Sequence, residues 1–410
     1  MKPDWKSFRL GNTDVATVTL GQSPPSQTYN QAGEGLPFFQ GKADFGMRFP
    51  KVRMWCSAPL RVAEPGDILI SVRAPVGDVN IAHERCAIGR GLAAIRPHCL
   101  DKEFLYYALL HAKPRIEAQS SGSTFDSINR HTLESLDIPA PANLAEQRQI
   151  ALILNSVQKA IETESAICDK LADLKSATMA KLFREGLRGE PLKQTEIGEI
   201  PESWEVVRLG DIAKIGNGST PKRTNEAYWE GGHIPWITST KIHEVIISRA
   251  DEFVTETAFR ECHLPLVPRK SIVVAITGQG KTLGNAALLE LDTCINQHLA
   301  YVQLQASSAV PEFYLFYLQS LYPYFRQVSS TGGSTNGALT CALIANLKAP
   351  SPCKEEQQEI ADVLMLLTRR HKVATKRFEA LTNLFGAVLP QLMTGAIRVK
   401  DLDLAEVSHA

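Results

Sequence analysis

The most regular pattern in the chain lies near its carboxyl end. From Ile360 onward, apolar side chains recur in alternating steps of four and three residues, which is the spacing of a coiled-coil seam. Nine of the ten seam positions are apolar, and together they are Ile360, Leu364, Leu367, His371, Ala374, Phe378, Leu381, Phe385, Val388 and Leu392. The pattern predicts one long helix, in which His371 is the single polar, register-setting position.

A matching but weaker seam lies 210 residues earlier. Its positions are Ile150, Leu154, Val157, Ile161, Glu164, Cys168, Leu171, Lys175, Thr178 and Leu182, with polar interruptions at Glu164, Lys175 and Thr178. A helix of about 40 residues is ~60 Å long and cannot bury an apolar stripe alone. We therefore expect the two helices to pair as an antiparallel coiled coil, the first one depending more on further partners.

The rest of the chain is an internal repeat. Trp5-Lys-Ser-Phe-Arg-Leu-Gly11 returns as Trp204-Glu-Val-Val-Arg-Leu-Gly210, and Ile88 to Ala93 (IGRGLA) is echoed by Ile295 to Ala300 (INQHLA). Both copies mix short β-like runs, turns and small helices, which is typical of an α+β globule. We predict a pseudo-twofold arrangement with these boundaries: globule 1–143, central helix 144–189, linker and second globule 190–353, C-terminal helix 354–396 and tail 397–410.

Composition narrows the function classes. Lys plus Arg and Asp plus Glu both number 44, so the chain lacks the basic excess of many DNA-binding domains. No run approaches the roughly 18 apolar residues of a membrane helix, and the N-terminus has no apolar signal core. Eight scattered cysteines without a CxxC pair argue against a zinc site or a disulfide framework. We expect an unexported, cytoplasmic protein without membrane contact or bound metal.

Several segments carry a family resemblance. Residues 195–212 (TEIGEIPESWEVVRLGDI), the pair Glu146-Gln-Arg-Gln-Ile150 and Glu356-Gln-Gln-Glu-Ile360, and Gly278-Gln-Gly-Lys-Thr-Leu-Gly284 resemble Type I restriction–modification specificity subunits. The resemblance implies a non-catalytic subunit without a cofactor, whose two globules are target-recognition domains for the halves of an asymmetric bipartite site in double-stranded DNA. It also implies that the helices are spacers and dock two methyltransferase (modification) subunits, which motor-nuclease (restriction) subunits join.

Candidate DNA contacts are polar side chains in predicted loops. Lys, Arg and small hydroxyls bind phosphates, whereas Arg, Lys, Asn and Gln read base edges. In the first domain the candidates are Arg48, Lys51, Arg53, Arg73, Arg90, Ser123 and Thr124. In the second they are Lys222, Arg223, Lys241, Gln279, Lys281, Ser334, Thr335 and Asn336. Each of them is also compatible with a solvated surface position, and the Gly-Ser-Thr segments are also compatible with helix caps.

Three other interpretations remain open at this stage. Residues 275–282 (AITGQGKT) loosely match a phosphate-binding loop, but Gly284 is a poor helical residue, so a glycine-rich hairpin tip is favoured. A self-sufficient adenine methyltransferase would need an Asn/Asp-Pro-Pro-aromatic segment, whereas the single Pro-Pro lies in Ser23-Pro-Pro-Ser26. The neutral net charge leaves a scaffold protein that has lost DNA reading. His298 is expected to have a structural hydrogen-bonding role.

Overall fold

The computed structural model describes residues 4–120, 127–278, 280–331 and 339–399. The chain divides into two compact units. Unit 1 comprises residues 1–166 and 375–410, and unit 2 comprises residues 167–374. Each unit therefore contains one α+β globule, part of the first long helix and part of the second.

Unit 1 is built from short strands and three helices. They are β1 Trp5–Arg9, β2 Ala16–Leu20, β3 Tyr29–Asn30, β4 Leu36–Phe39, β5 Trp55–Cys56, β6 Val62–Ala63, β7 Ile68–Ser71, β8 Val79–Ile81, β9 Cys86–Ile88, β10 Leu92–Pro97, α1 Lys102–Ser120, α2 Arg130–Glu134, β11 Asp137–Pro141 and α3 Leu144–Glu185, the last of which continues into unit 2. An antiparallel sheet has the order β2-β10-β7-β8, and a second sheet has the order β3-β5-β4-β9-β6 with β4 and β9 parallel.

The core of unit 1 lies between the first of these sheets, α1 and the long helices. Ile68 and Ile70 on β7 bury one face of the sheet against Phe104 of α1 and Ile150 of α3. Leu69 between them faces a second cluster with Phe39 and other side chains. Because both faces of β7 are covered, its sequence Ile-Leu-Ile is continuously apolar rather than alternating.

Unit 2 repeats this plan. Its elements are β12 Leu192–Thr195, β13 Gly198–Pro201, β14 Glu205–Arg208, α4 Leu209–Ile212, β15 Ala213–Asn217, β16 Ile234–Ile237, β17 Ile246–Ile247, β18 Glu252–Val254, α5 Glu256–Glu261, β19 Ile272–Ala275, β20 Ala286–Leu289, β21 Cys294–Ile295, β22 Leu299–Leu304, α6 Pro311–Ser320, α7 Tyr322–Thr331, α8 Cys341–Asn346, β23 Lys348–Ser351 and α9 Lys354–Met393, which continues into unit 1. The sheet order β15-β22-β19-β20 reproduces β2-β10-β7-β8, and the parallel pair β16–β21 reproduces β4–β9. The α+β class and the internal repeat predicted from the sequence are confirmed.

The two long helices pack against each other within each unit. In unit 1, Ile150 and Leu154 near the start of α3 share a core with Leu389 and Leu392 near the end of α9. In unit 2, Leu182 near the end of α3 shares a core with Ile360 and Leu364 near the start of α9. The start of each helix thus contacts the end of the other, which is an antiparallel pairing. All twenty seam positions are buried or half-buried.

A buried glutamine at the start of each long helix joins it to its globule. The Gln147 side chain donates to the Pro141 carbonyl (2.8 Å) and accepts from the Asp101 backbone N–H (2.9 Å). Gln357 donates to the Pro352 carbonyl (2.9 Å) and accepts from the Val310 N–H (2.9 Å). Both are about 1% exposed. We call these contacts the glutamine clamps. They give a structural reason for the repeated Glu-Gln pair in the sequence.

The preceding glutamates anchor the segment that follows the opposite helix. Glu146 accepts from Arg398, just after α9, at 2.7 Å. Glu356 accepts from the Leu187 backbone N–H, just after α3, at 2.7 Å, and from the Trp204 indole at 3.1 Å. In both units, a glutamate at the same helix position therefore bonds the segment that follows the other long helix.

Candidate nucleic-acid interface

An open cleft in unit 1 brings together polar and cationic side chains from several loops. Its volume is about 620 Å³. Three of the residues that line it are cations, namely Lys42, Arg73 and Arg90, and its other polar residues include Ser23, Ser26 and Gln40. Two DNA-contact candidates from the sequence, Arg73 and Arg90, thus lie at one site. Within the described part of the chain, neither guanidinium has an ion pair or a hydrogen bond.

Close backbone contacts shape this cleft. A Cβ atom on Gly21 would lie 2.1 Å from the Gly89 carbonyl oxygen, so only glycine allows β2 to end against the turn between β9 and β10. The Gly89 N–H donates to the Phe39 carbonyl at 2.8 Å, and the Val72 N–H donates to the Gly91 carbonyl at 2.9 Å. The turn that carries Arg90 is therefore fixed by main-chain bonds to two neighbouring loops.

Lys42 at the edge of the cleft belongs to a small ion-pair group. Asp78 accepts from Lys42 at 2.8 Å and from Lys113 at 2.7 Å. Partial burial acts to raise the pKa of Asp78, but the hydrogen bonds from Lys113 and Lys42 outweigh it, and the pKa lies below its ordinary value. The carboxylate thus stays ionised, and it partly neutralises Lys42 at the edge of the cleft.

Unit 2 has the same backbone arrangement with different side chains. The Asn296 N–H donates to the Ile237 carbonyl (3.0 Å) and the Ile276 N–H to the His298 carbonyl (3.0 Å), so these residues correspond to Gly89, Phe39, Val72 and Gly91. By this correspondence Lys42, Arg73 and Arg90 are replaced by Thr240, Thr277 and Gln297. The three equivalent positions in the second domain are therefore uncharged.

The uncharged side chains of unit 2 form a hydrogen-bonded row. The Thr220 hydroxyl donates to the Gln297 amide oxygen, and the Thr277 hydroxyl bonds the His298 ring. The Gln297 amide nitrogen lies 3.4 Å from the second His298 ring nitrogen. The hydrogen-bonding role that the sequence analysis expected for His298 is thus observed, and it orients Gln297.

Three of the predicted DNA-contact residues form ion pairs within the protein. Arg48 bonds Glu103 and Asn155 and is half-buried. The Lys241 side chain is 8% exposed and lies 2.8 Å from Glu244 and 2.9 Å from Asp251. These contacts give both side chains a structural role, and DNA contact by either of them stays a prediction. Arg223 pairs with Glu252 and stacks over two rings, with 4.1 Å to the Trp229 ring centroid and 4.8 Å to that of Trp236.

The remaining candidates divide into two groups. Lys51, Arg53, Lys222 and Lys281 are exposed on loops and do not line the cleft of unit 1. Ser123, Thr124, Gln279, Ser334, Thr335 and Asn336 lie outside the described residues. Sequence reasoning missed Lys42, Gln297 and Thr277. The alignment of the IGRGLA and INQHLA segments contained the signal for Gln297, because it sets Arg90 opposite this residue.

The glycine-rich segment after β19 is a hairpin connection. β19 and β20 are antiparallel, with Ile272 opposite Leu288. Gly280 and Gly284 have positive φ angles of 67° and 86°, and no helix begins among the described residues between these strands. A phosphate-binding loop needs a helix N-terminus at this point. The described backbone has the hairpin form that the sequence analysis favoured.

The described residues contain neither a candidate membrane span nor a candidate metal site. No helix there is long and apolar enough to cross a membrane. No group of three or more His, Cys, Asp or Glu side chains in that part of the chain is placed to hold a metal ion. All eight cysteines are free thiols.

The two repeated regions match a known protein family. A family model described as the type I restriction modification DNA specificity domain matches the chain twice, over residues 3–172 and 201–383. The chain belongs to this specificity-domain family. Each of the two matched regions contains one copy of the site, with Arg90 in the first copy and Gln297 in the second.

Named relatives agree with this membership. The putative type I restriction enzyme MjaX specificity subunit of Methanocaldococcus jannaschii is 43% identical over 187 residues, which are 45% of this chain and 44% of the relative. The MjaIX specificity subunit of the same organism is 27% identical over 97% of this chain and 95% of its own length. The crystal structure of a type I S subunit from M. genitalium covers 95% of this chain with a TM-score of 0.67 at 19% identity, a likeness of fold.

Proposed function

We propose that the chain is the sequence-specificity subunit of a type I restriction–modification complex, without catalytic residues of its own. Residues 1–143 and 190–353 are its two target-recognition domains, and each reads one part of an asymmetric bipartite site in double-stranded DNA. One observation carries the proposal. A single backbone frame occurs twice, and the side chains at its opening differ between the copies, which is what two unlike half-sites require.

The chemistry of the first cleft supports DNA as its ligand. Exposed guanidinium groups without partners in the described structure pay little desolvation cost and bind phosphates and base edges directly. Arg73 and Arg90 meet this condition, and hydroxyl and amide groups of Ser23 and Gln40 lie beside them. The open form of the cleft suits a duplex surface better than an enclosed small molecule.

We also propose that the outer faces of the long helices dock two modification subunits, and that motor-nuclease subunits join that core. In unit 1, Leu152 and Leu384 are 64% and 47% exposed. In unit 2, Leu174, Leu366 and Val373 are each more than half exposed on the helices. Large apolar side chains repeated along a helix, away from its seam, favour contact with another protein.

A footprint of the reconstituted methyltransferase tests the proposal. The complex of this chain with its modification subunits should protect two DNA patches about one helical turn apart. Protection should weaken steeply with added salt, because phosphate contacts release counterions. One contiguous patch in a complex that assembles correctly would contradict the bipartite reading.

A second candidate is a scaffold that keeps the fold but does not read DNA. The equal numbers of acidic and basic residues favour it. This candidate predicts that the assembled complex binds all DNA sequences equally or none. The same footprint separates the two, because sequence-dependent protection at two patches excludes the scaffold.

A further inference from the structure

Two tight turns at equivalent points of the recognition domains differ at their tips. The first joins β9 to β10 through Gly89, Arg90 and Gly91, and the second joins β21 to β22 through Asn296, Gln297 and His298. Each is closed by the same bond, from Leu92 N–H to the Gly89 carbonyl (3.0 Å) and from Leu299 N–H to the Asn296 carbonyl (3.2 Å). Each is also bonded to the two neighbouring loops in the same way, as described above.

One further hydrogen bond fixes the backbone of each turn. In the first, the Arg90 N–H also donates to the Ser23 hydroxyl at 3.3 Å. In the second, the His298 N–H donates to the Asn296 side-chain oxygen at 3.1 Å. A fixed backbone holds the side chain at the tip of the turn in a fixed position. Reading one base pair in one register requires such a fixed position.

Arg90 and Gln297 are exposed at these tips, and their side chains have different hydrogen-bonding patterns. The Arg90 guanidinium presents donors only. The Gln297 amide presents one acceptor and one donor group, and its contacts with Thr220 and His298 leave a second lone pair and at least one N–H for a ligand. The tip is therefore one of three equivalent positions at which the two frames differ in charge, and it is the one at which a guanidinium is replaced by an amide.

We propose that this tip position reads a purine in each half-site, guanine through Arg90 and adenine through Gln297. The inference rests on the proposed DNA-reading function. Arginine forms two parallel hydrogen bonds with O6 and N7 of guanine, whereas glutamine donates to N7 and accepts from N6 of adenine. A phosphate is the same in every sequence, and a position that only bound phosphate would have no need to exchange a cation for a neutral amide.

A reciprocal exchange tests this assignment. The reconstituted methyltransferase is incubated with a randomised duplex library, and the methylated sequences are read for the wild type, Arg90→Gln and Gln297→Arg. Arg90→Gln should change one base pair of the first half-site from guanine towards adenine, with a shift in preference of about tenfold or more. Gln297→Arg should make the opposite change in the second half-site. The other half-site should stay unchanged in each variant.

A charge-matched control is Lys6→Gln. Lys6 is exposed on β1 and does not line the cleft, so this variant loses one cation in the same domain without changing the motif. Thermal unfolding of each variant checks its fold. Arg90 has no side-chain partner in the described structure, so Arg90→Gln should unfold at the wild-type temperature.

The possible outcomes distinguish failure of the proposed function from failure of the base assignment. A wild-type complex that methylates without any bipartite motif overturns the proposed function itself. A bipartite wild-type motif that stays identical in Arg90→Gln and Gln297→Arg overturns only the base assignment. So does a uniform loss of methylation at all sequences in the folded Arg90→Gln complex, because that result assigns Arg90 to phosphate.

Discussion

Lys175 is a charged residue on the seam of α3. Its amine bonds the Gln319 side chain at 3.1 Å and lies 5.1 Å from the Phe316 ring centroid. Burial lowers the pKa of the amine to about 8. The equivalent seam residue of α9 is Phe385, which packs on Tyr107 with 6.0 Å between ring centroids. One repeat thus uses an aromatic side chain where the other buries an amine.

We predict that Lys175→Met stabilises unit 2 at pH 7. The unfolded chain holds the amine at its ordinary pKa of 10.5, so below about pH 8 the folded chain bears the full cost of a buried charge. That cost is at most about 3 kcal/mol, and it disappears as the pH rises from about 8 to 10.5. Denaturant unfolding at pH 7 and pH 10 should show an advantage of Lys175→Met that shrinks at pH 10.

Lys170→Met is the matched control for this prediction, because Lys170 is exposed on the same helix. It should leave the unfolding free energy nearly unchanged at both pH values. A Lys175→Met variant that is less stable than the wild type at pH 7 would mean that the hydrogen bond to Gln319 and the contact with Phe316 outweigh the burial cost.

The ion pairs of single residues at this site could not be predicted from the sequence. The sequence nominated Arg73 and Arg90 because they lie in predicted turns, and both line the cleft. It did not predict the ion pairs of Arg48 and Lys241, because an ion pair depends on which carboxylate the fold brings near, and Glu103 is 55 residues from Arg48. Whether a cation is available for a ligand is a property of tertiary contacts, which a list of polar loop residues does not contain.

At the scale of elements, the long helices were predictable and the strand pairing was not. A heptad pattern is local, so each seam could be read directly from the spacing of residues such as Leu364 and Leu392. The parallel pairing of β4 with β9 joins residues about 50 positions apart, and the short strands have no distinctive pattern of their own. The internal repeat showed which segments of the two units are equivalent, but not which strands pair within a unit.

The packing of the helix pair gives an element-scale prediction. Leu392 is fully buried in the core that it shares with Ile150 and Leu154. Leu392→Ala should lower the free energy of unfolding of unit 1 by about 2–5 kcal/mol, because it removes buried methyl groups and leaves a cavity. Urea denaturation followed by circular dichroism measures this loss.

Leu384 on the same helix is the comparison residue, since it is 47% exposed. Leu384→Asp should cost less than about 1 kcal/mol in the same assay. It should nevertheless weaken the binding of modification subunits, measured by titration calorimetry, if the outer helix face is the docking surface. Full affinity of Leu384→Asp for these subunits would exclude this residue from the surface.

For the whole molecule, the two-domain reading predicts separable specificity. Replacing residues 1–143 by the corresponding domain of another specificity subunit should change one half of the methylated site and leave the other half and the gap between them unchanged. Sequencing the methylated positions in host DNA measures both halves at once. A chimera that folds, assembles and changes both half-sites would contradict independent reading by the two domains.

Neutral net charge is compatible with DNA reading at this scale. Over the whole chain, Lys and Arg residues equal Asp and Glu residues in number. Many of the described cations form ion pairs within the protein, such as Arg96 with Asp67 at 2.8 Å. Arg73 and Arg90, which have no ion pair in the described structure, line one cleft. We therefore expect much of the non-specific DNA affinity to come from the assembled complex and the base selection to come from this chain.

The glutamine clamps bear on recombination between related genes. On the globule side they use only main-chain groups, namely the carbonyls of Pro141 and Pro352 and the N–H groups of Asp101 and Val310. Any incoming domain with the same backbone course can supply these groups, whatever its side chains. We therefore expect recombination between related genes near codon 143 or 353 to yield chimeric proteins in which the glutamine clamps can still form.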